Sequence, residues 1–184
     1  MFFSPCGPSQ RTFNSSFKRF LSTAPPTTRK LKARPLIGRY TDSFPCELAR
    51  VQSGRSVNLR DYETQVKMKR FSYDLKLKDG KVLPAEGNQF IGPNGCSLRE
   101  PFSPTFQEVV RNFRGVNILI YIIPEGTPLP KTLTLLHEHS DHFSLQCSQP
   151  MTLPELNEEI TKFLELHART ITKEEFDVEY PFEI

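Results

Sequence analysis

The chain has 184 residues, of which 37% are hydrophobic and 24% are charged. This length suits one domain with an extension, and this composition can build one buried core. The most apolar run, residues 116–124, is about half as long as a membrane helix needs to be, so the sequence predicts no membrane span and no membrane partner.

The net charge of +3 is distributed unevenly along the chain. Residues 1–41 hold eight of the 24 basic residues and no acidic residue, which leaves 16 basic against 21 acidic residues from position 42 onward. That part of the chain therefore has a net charge of −5, and on average it repels a phosphate backbone. The sequence predicts no nucleic-acid partner.

Three segments are predicted from composition. Residues 1–40 form a basic leader whose richness in Ser, Thr, Pro and Arg is typical of a mitochondrial transit peptide, and residues 13–21 predict a basic amphipathic helix within it. A solvated basic tail is the alternative, so the predicted location is the mitochondrial matrix or the cytoplasm. The scattered prolines of residues 23–64 predict little regular structure, with the leader ending at 40 and a linker over 41–64. The folded domain is predicted over 65–184.

Alternating polar and apolar residues over 66–77 predict a half-buried strand. The Asp79-Gly80 pair that follows is a turn signal. Ser103 and Pro104 have the residue types of a helix start, and Gly115 is expected just past the end of that helix.

The rest of the domain alternates strands with a final helix. The predicted strands cover 117–123, 133–137 and 143–147, and the last two are joined near 139–141. Thr152 and Glu155 fit a capping box for the last helix, and the acidic tail after Thr170 is expected to pack only through its aromatic residues. This order predicts an α+β fold, with a small antiparallel-rich sheet and one or two packed helices.

One short segment matches a zinc-ligand signature. Residues 137–142 spell His-x-His-x-Asp-His, the pattern of the metallo-β-lactamase superfamily, and a zinc-dependent hydrolase using His137, His139, Asp141 and His142 is one alternative. That superfamily takes further ligands downstream, where this chain has only His167. The preferred interpretation is three histidines around a turn without a metal.

Several ordered segments together resemble the ADP-ribosyltransferase-like toxin domain of bacterial type VI secretion effectors, in particular its fungal branch. They span roughly residues 65–169, and no single one is diagnostic. The segments are Lys69-Arg70-Phe71, 90–99, 122–130, 141–145, 149–151 and 155–157. The resemblance implies split sheets with NAD in the cleft between them. It also implies cleavage of the bond between nicotinamide and ribose, followed by transfer of ADP-ribose to an acceptor or to water.

The resemblance also implies three roles for side chains. Arg70 would hold the diphosphate or the ribose, and Ser97, next to Asn94, would brace the nicotinamide side. An acidic or amide side chain would bind the ribose hydroxyls and stabilise the oxocarbenium-like charge. The candidates for this third role are Asp141, His142 and Gln146, with Glu138 weaker, and His142 is in addition a candidate for positioning NAD.

The resemblance also bears on whether the domain is active and on its partners. Many relatives carry a glutamate two residues after another Glu or Gln, and this chain has no such pair at the equivalent strand, which favours the alternative of a catalytically inactive relative that acts as a binding module. The resemblance names no acceptor for ADP-ribose. A toxin-like domain within its own cell also predicts an inhibitory protein that covers the cleft.

Overall fold

The computed structural model describes residues 33–181. The leader before residue 33, including the predicted helix at 13–21, lies outside the described residues. Within the described range no helix is long and apolar enough to cross a bilayer.

The described residues form nine strands and four helices. In chain order these are β1 (Arg34–Pro35), β2 (Gly38–Tyr40), β3 (Leu48–Ser53), α1 (Tyr62–Lys67), β4 (Gln89–Phe90), β5 (Cys96–Arg99), α2 (Pro104–Asn112), β6 (Ile118–Ile123), β7 (Leu133–His139), β8 (His142–Cys147), α3 (Leu153–His167), β9 (Arg169–Ile171) and α4 (Lys173–Glu179).

Seven of these strands form one sheet in the order β2-β7-β8-β5-β3-β6-β9, and β1 pairs with β4 in a second, two-stranded sheet. The strand pairs in both sheets are antiparallel. The α+β class with an antiparallel sheet is therefore confirmed. Two predicted helices, α2 and α3, are present, and the short helices α1 and α4 accompany them.

Both faces of the large sheet are covered by helices. Successive residues of a strand point to opposite faces: in β3, Leu48 belongs to a core that includes Leu156 and Ile160 of α3. Its neighbour Ala49 belongs to a second core that includes Phe106 of α2 and Phe176 of α4. Helix α3 thus packs on one face, and α2 and α4 pack on the other.

The predicted linker over 41–64 is wrong, because strand β3 lies within it. This strand pairs along all six residues with β6, and Phe44 just before it is 1% exposed. A strand covered on both faces shows no simple alternation of polar and apolar residues, which is why the pattern concealed it. The sheet also takes in β2, at 38–40, from the end of the predicted leader.

The predicted strand over 66–77 is also wrong. Asp61 caps α1 by accepting a hydrogen bond from the Thr64 amide. The helix then ends with Lys69 at a positive φ of 57°, and the Arg70 amide donates back to the Gln65 carbonyl at 2.8 Å. This is a Schellman ending, so local capping overrides the alternation. The turn at Asp79-Gly80 is confirmed.

The later elements follow the predictions closely. Strands β6, β7 and β8 coincide with the predicted ones to within about two residues, and α3 begins with the predicted capping box at Thr152. The acidic tail contributes more than its aromatic residues: besides the buried Phe176 and Tyr180, it supplies Ile171, the last residue of β9, and the whole of α4.

Candidate active site

The sheet opens between its two central strands. Strands β3 and β5 are paired only at Ala49 and Arg99, although β3 stays paired with β6 as far as Ser53 and β5 stays paired with β8 as far as Cys96. The two strands therefore diverge, and a cleft of about 500 Å³ lies between them. It is closed on one side by residues of α2.

The spacing of Phe106, Val109, Val110 and Phe113 in the sequence predicts an apolar stripe along α2 that faces the core. Of its four apolar residues, Phe106 and Val110 are buried in the second core. Val109 is 40% exposed, and with Phe113 it lines the cleft. Phe106 lines the cleft as well, so three of the four residues give the polar cleft one apolar wall.

Three arginines line the cleft, and two of them are neutralised. Arg60 makes a two-pronged ion pair with Asp74, with distances of 2.7 and 2.8 Å. Arg99 is paired with Asp141 at 2.6 Å. The third, Arg50, bonds only to neutral groups.

Arg50 lies on β3 and is half-buried. Its Nε donates to the side-chain oxygen of Gln52 at 2.8 Å and its Nη1 donates to the carbonyl oxygen of Ser97 at 3.1 Å. No carboxylate of the described residues forms an ion pair with it. Its full positive charge is therefore directed at the cleft.

Ser97 lies on β5 across the cleft from β3, where its backbone carbonyl accepts the bond from Arg50, and its side chain is exposed. The His142 ring reaches it from β8, with Nε2 3.1 Å from the Ser97 hydroxyl oxygen. Neighbouring antiparallel strands bring the two together, since Ser97 pairs with Ser144, two residues along from His142.

A chain of polar side chains continues behind His142. Buried Gln146 donates to the Ser144 hydroxyl at 2.7 Å and accepts from Asn94 at 3.1 Å. The Ser144 hydroxyl donates to Glu138 at 2.6 Å. The structure thus brings four predicted site residues into one network: Asn94, Ser97, His142 and Gln146. Of these, Gln146 is 1% exposed and lies behind the cleft.

A β-bulge in β7 adds Glu138 to this network. The register of the β7–β8 pair shifts between His137 and His139, and a bulge changes which face a side chain reaches. Glu138 bonds to Ser144, while His139 sits directly opposite His142. From the sequence Glu138 is the weaker candidate, and the bulge that brings it to His142 leaves no mark on the sequence pattern.

The His142 and Glu138 side chains are in contact without a hydrogen bond. His142 Nδ1 and Glu138 Oε2 lie 2.9 Å apart, yet neither atom has a hydrogen-bond partner among the described residues. The two atoms thus lie at ion-pair distance but not in the geometry of a hydrogen bond. Ser97, His142 and Glu138 therefore do not form a nucleophilic triad, in which the carboxylate accepts the Nδ1 proton.

Asp141 is engaged in holding the structure together. Besides Arg99, it accepts a hydrogen bond of 2.5 Å from Ser103, the residue that caps α2. Partial burial pushes its pKa upward, but the hydrogen bonds from Ser103 and Arg99 and the charge of Arg99 leave that pKa below its usual value. Asp141 thus ties β8 to the start of α2.

Arg70 is not brought to this site. It is exposed, lies in irregular chain after α1, and is absent from the residues that line the cleft. The arginine on the first cleft strand is Arg50, which sequence reasoning missed because residues 41–64 were interpreted as a linker. The signal available was a single arginine within the short run Leu48–Ser53.

The zinc-ligand signature is not assembled in the predicted form. His137 Nε2 lies 2.5 Å from the Ser140 carbonyl oxygen, and the Asp141 carboxylate is bound to Arg99 and Ser103. Among the described residues, the ligand atoms that converge belong to Glu138, His139 and His142. The pKa of His139 is lowered, mainly by its burial and secondly by the neighbouring His142.

These observations define a class of protein: a small α+β domain with an arginine-lined cleft where two central strands of its antiparallel sheet separate. The sequence model of the Tse2 ADP-ribosyltransferase toxin family matches residues 46–176, which is more than half of the chain. The chain therefore belongs to that toxin family. No curated protein and no solved structure matches it.

Proposed function

We propose that this protein binds NAD in the cleft between β3 and β5 and breaks the bond between nicotinamide and ribose. Membership of an ADP-ribosyltransferase toxin family supports this reaction class. The observation that carries the proposal is the Arg50 guanidinium, which lines the cleft and has no carboxylate partner among the described residues.

Arg50 is suited to the diphosphate of NAD. A guanidinium forms short, charge-assisted and often two-pronged bonds with phosphate oxygens. Arg60 and Arg99 already hold Asp74 and Asp141, so Arg50 supplies the free charge. Its bond to the Ser97 carbonyl oxygen fixes its direction across the gap between the strands.

The nicotinamide side of the substrate is assigned to Ser97 and His142. The exposed Ser97 hydroxyl can bond to the carboxamide, and the His142 ring beside it holds that hydroxyl in place. Val109 of α2 and Phe113, which caps the end of that helix, give the aromatic ring an apolar surface. The arrangement orients the bond that breaks.

In the reaction, the electron pair of the broken bond leaves with nicotinamide and the ribose carbon becomes an oxocarbenium-like cation. An oxygen of the acceptor or of water adds to that carbon and loses its proton. The positive charge needs a nearby acidic or amide group. Of the predicted candidates for this third role, His142 adjoins the cleft through Ser97, whereas Asp141 is engaged by Arg99 and Ser103.

The test is nicotinamide release from NAD by the purified chain, with Arg50→Ala and Arg70→Ala compared. A lost charge-assisted bond costs roughly 1.5–3 kcal/mol. We therefore expect kcat/KM to fall about tenfold or more in Arg50→Ala, while Arg70→Ala stays within about twofold. Loss of release in Arg70→Ala alone would restore the sequence-based assignment.

A second candidate function is a binding module without turnover. The observation that favours it is Asp74, the carboxylate that lines the cleft, which is occupied by Arg60. Titration calorimetry with NAD distinguishes the two: binding that depends on Arg50, without nicotinamide release, is the result expected of the module.

Location and partners complete the proposal. We propose that the basic leader, predicted over residues 1–40, acts as a mitochondrial targeting segment, or else that the protein is cytoplasmic, and that an inhibitory protein covers the cleft. Fusing residues 1–40 to a fluorescent protein tests the first part, and a diffuse cytosolic signal would contradict the leader. Affinity purification tests the second, where Arg50→Glu should weaken capture of an inhibitor that contacts the cleft.

A further inference from the structure

The bulge in β7 brings three side chains with metal-binding atoms to one place. One ligand atom from each of Glu138, His139 and His142 lies within 4.8 Å of the other two. In a regular strand, Glu138 and His139 would point to opposite faces. The bulge cancels this alternation, so that both meet His142 on β8.

Two buried atoms of this cluster lie at ion-pair distance from each other but form no hydrogen bond among the described residues. Glu138 is 1% exposed, and its Oε1 accepts bonds from Ser144 and Gln146. Its Oε2 and the His142 Nδ1 have no hydrogen-bond partner among the described residues, although they face each other at 2.9 Å. A buried polar atom without a partner typically costs about 1–3 kcal/mol, and an ion at the site is one of its standard explanations.

We propose that Glu138, His139 and His142 bind one zinc ion. Two imidazoles and one carboxylate are a known donor set for zinc, and they are poorly suited to magnesium or calcium, which prefer oxygen ligands alone. Two ligand atoms at tetrahedral zinc lie about 3.3 Å apart. Glu138 Oε2 and His142 Nδ1 at 2.9 Å need only a small separation to reach that spacing.

The surroundings of the cluster are those of a metal ligand set. Ser144 and Gln146 hold Glu138 through its other oxygen, so Oε2 keeps its direction. Zinc on His142 Nδ1 leaves the ring proton on Nε2, which then donates to the Ser97 hydroxyl oxygen 3.1 Å away. The ion thereby fixes the tautomer of His142 and the orientation of Ser97 at the edge of the cleft.

This ligand set differs from the one that the His-x-His-x-Asp-His signature suggests. His137 and Asp141 have other partners, and Glu138 takes the place of a carboxylate ligand. The two sets share His139 and His142, so substitutions at the other positions separate them.

The experiment measures zinc in the untagged full-length protein by mass spectrometry, together with the melting temperature with and without added zinc chloride. We expect about one zinc per chain and a zinc-dependent rise in Tm. Both should be lost in Glu138→Gln and in His139→Ala. Both should persist in the matched variants His137→Ala and Asp141→Asn.

For each variant, the Tm with zinc is compared with the Tm of the same variant without zinc, so a change in basal stability does not obscure the result. A Glu138→Gln variant that unfolds cooperatively but whose Tm does not rise with zinc supports the site. Absence of zinc and of any Tm shift in the natural chain would overturn it and leave a bound water as the partner of Glu138. A loss in His137→Ala with a normal response in Glu138→Gln would assign the metal to the signature instead. Magnesium chloride serves as the control and should leave every Tm unchanged.

Discussion

At the scale of single residues, the charges of the cleft are arranged so that one arginine stays free. Asp74 and Asp141 neutralise Arg60 and Arg99, and these pairs also tie loops and a helix start to the sheet. Because paired charges are less available to a ligand, Arg50 is the one arginine lining the cleft that has no carboxylate partner within residues 33–181. The affinity of the cleft for an anion is therefore expected to depend on one side chain.

The role of Asp141 in stability depends on pH. Its folded pKa lies below the unfolded value, which is about 3.9, so its contribution is complete above that pH and is lost as the pH falls through the folded pKa. Asp141→Asn should lower the free energy of unfolding by about 1–3 kcal/mol at pH 7, and by progressively less below about pH 4. Urea unfolding at pH 7, 5 and 3.5 measures this.

The control for this prediction is Asp177→Asn, since Asp177 is an exposed carboxylate on α4. It should change the urea midpoint little at any of the three pH values. A penalty for Asp141→Asn that stays constant down to pH 3.5 would mean that packing, and not the charge of Asp141, accounts for it.

At the scale of elements, local capping decides where α1 stops. Its final residue is Lys67, and Lys69 adopts the left-handed conformation that the Schellman ending requires. A side chain disfavours this conformation, whereas glycine does not. The sequence therefore carries a small strain at Lys69, next to the exposed Arg70.

Lys69→Gly should raise the free energy of unfolding by about 0.5–1 kcal/mol, because glycine adopts a positive φ without strain. The matched variant Lys67→Gly, two residues earlier and inside the helix, should lower it by about 0.5–1 kcal/mol. Urea midpoints of the two variants give the comparison. Equal destabilisation by both would show that residue 69 is not left-handed in solution.

At the scale of the whole molecule, β3 joins the two halves of the large sheet. On one side it neighbours β5, beyond which lie β8, β7 and β2. On the other side it neighbours β6, beyond which lies β9. It also supplies Leu48 to one core and Ala49 to the other. The cleft exists because this central strand keeps full pairing with β6 and gives up most of its pairing with β5.

A chain of residues 65–184, the domain predicted from composition, should therefore fail to fold. Without β3, β6 loses its six-residue partner and two cores lose buried side chains, which costs more than the 5–15 kcal/mol that stabilises a typical domain. A chain of residues 33–184 should keep a single cooperative thermal transition. Circular dichroism during heating distinguishes them, and a cooperative transition in the shorter chain would show that β3 is dispensable.

Local signals in the sequence were sufficient for much of the fold. The Ser103 and Thr152 caps and the apolar spacing behind them determine α2 and α3, and apolar runs bounded by turn residues determine β6, β7 and β8. Such signals act over a few residues, so they can be read directly. The family resemblance rests on the same segments, and it named Ser97 and His142, which the structure places in contact.

The sequence by itself thus determined the α+β class and the toxin family, because these depend on residues that are close along the chain. Only the tertiary structure decided that Arg50 and not Arg70 faces Ser97, and that Glu138 turns toward His142. These choices depend on strand pairing between residues about 45 positions apart and on a bulge that shifts one register. Pairing of that kind is set by burial on both faces of the sheet, which leaves no periodic trace in the sequence.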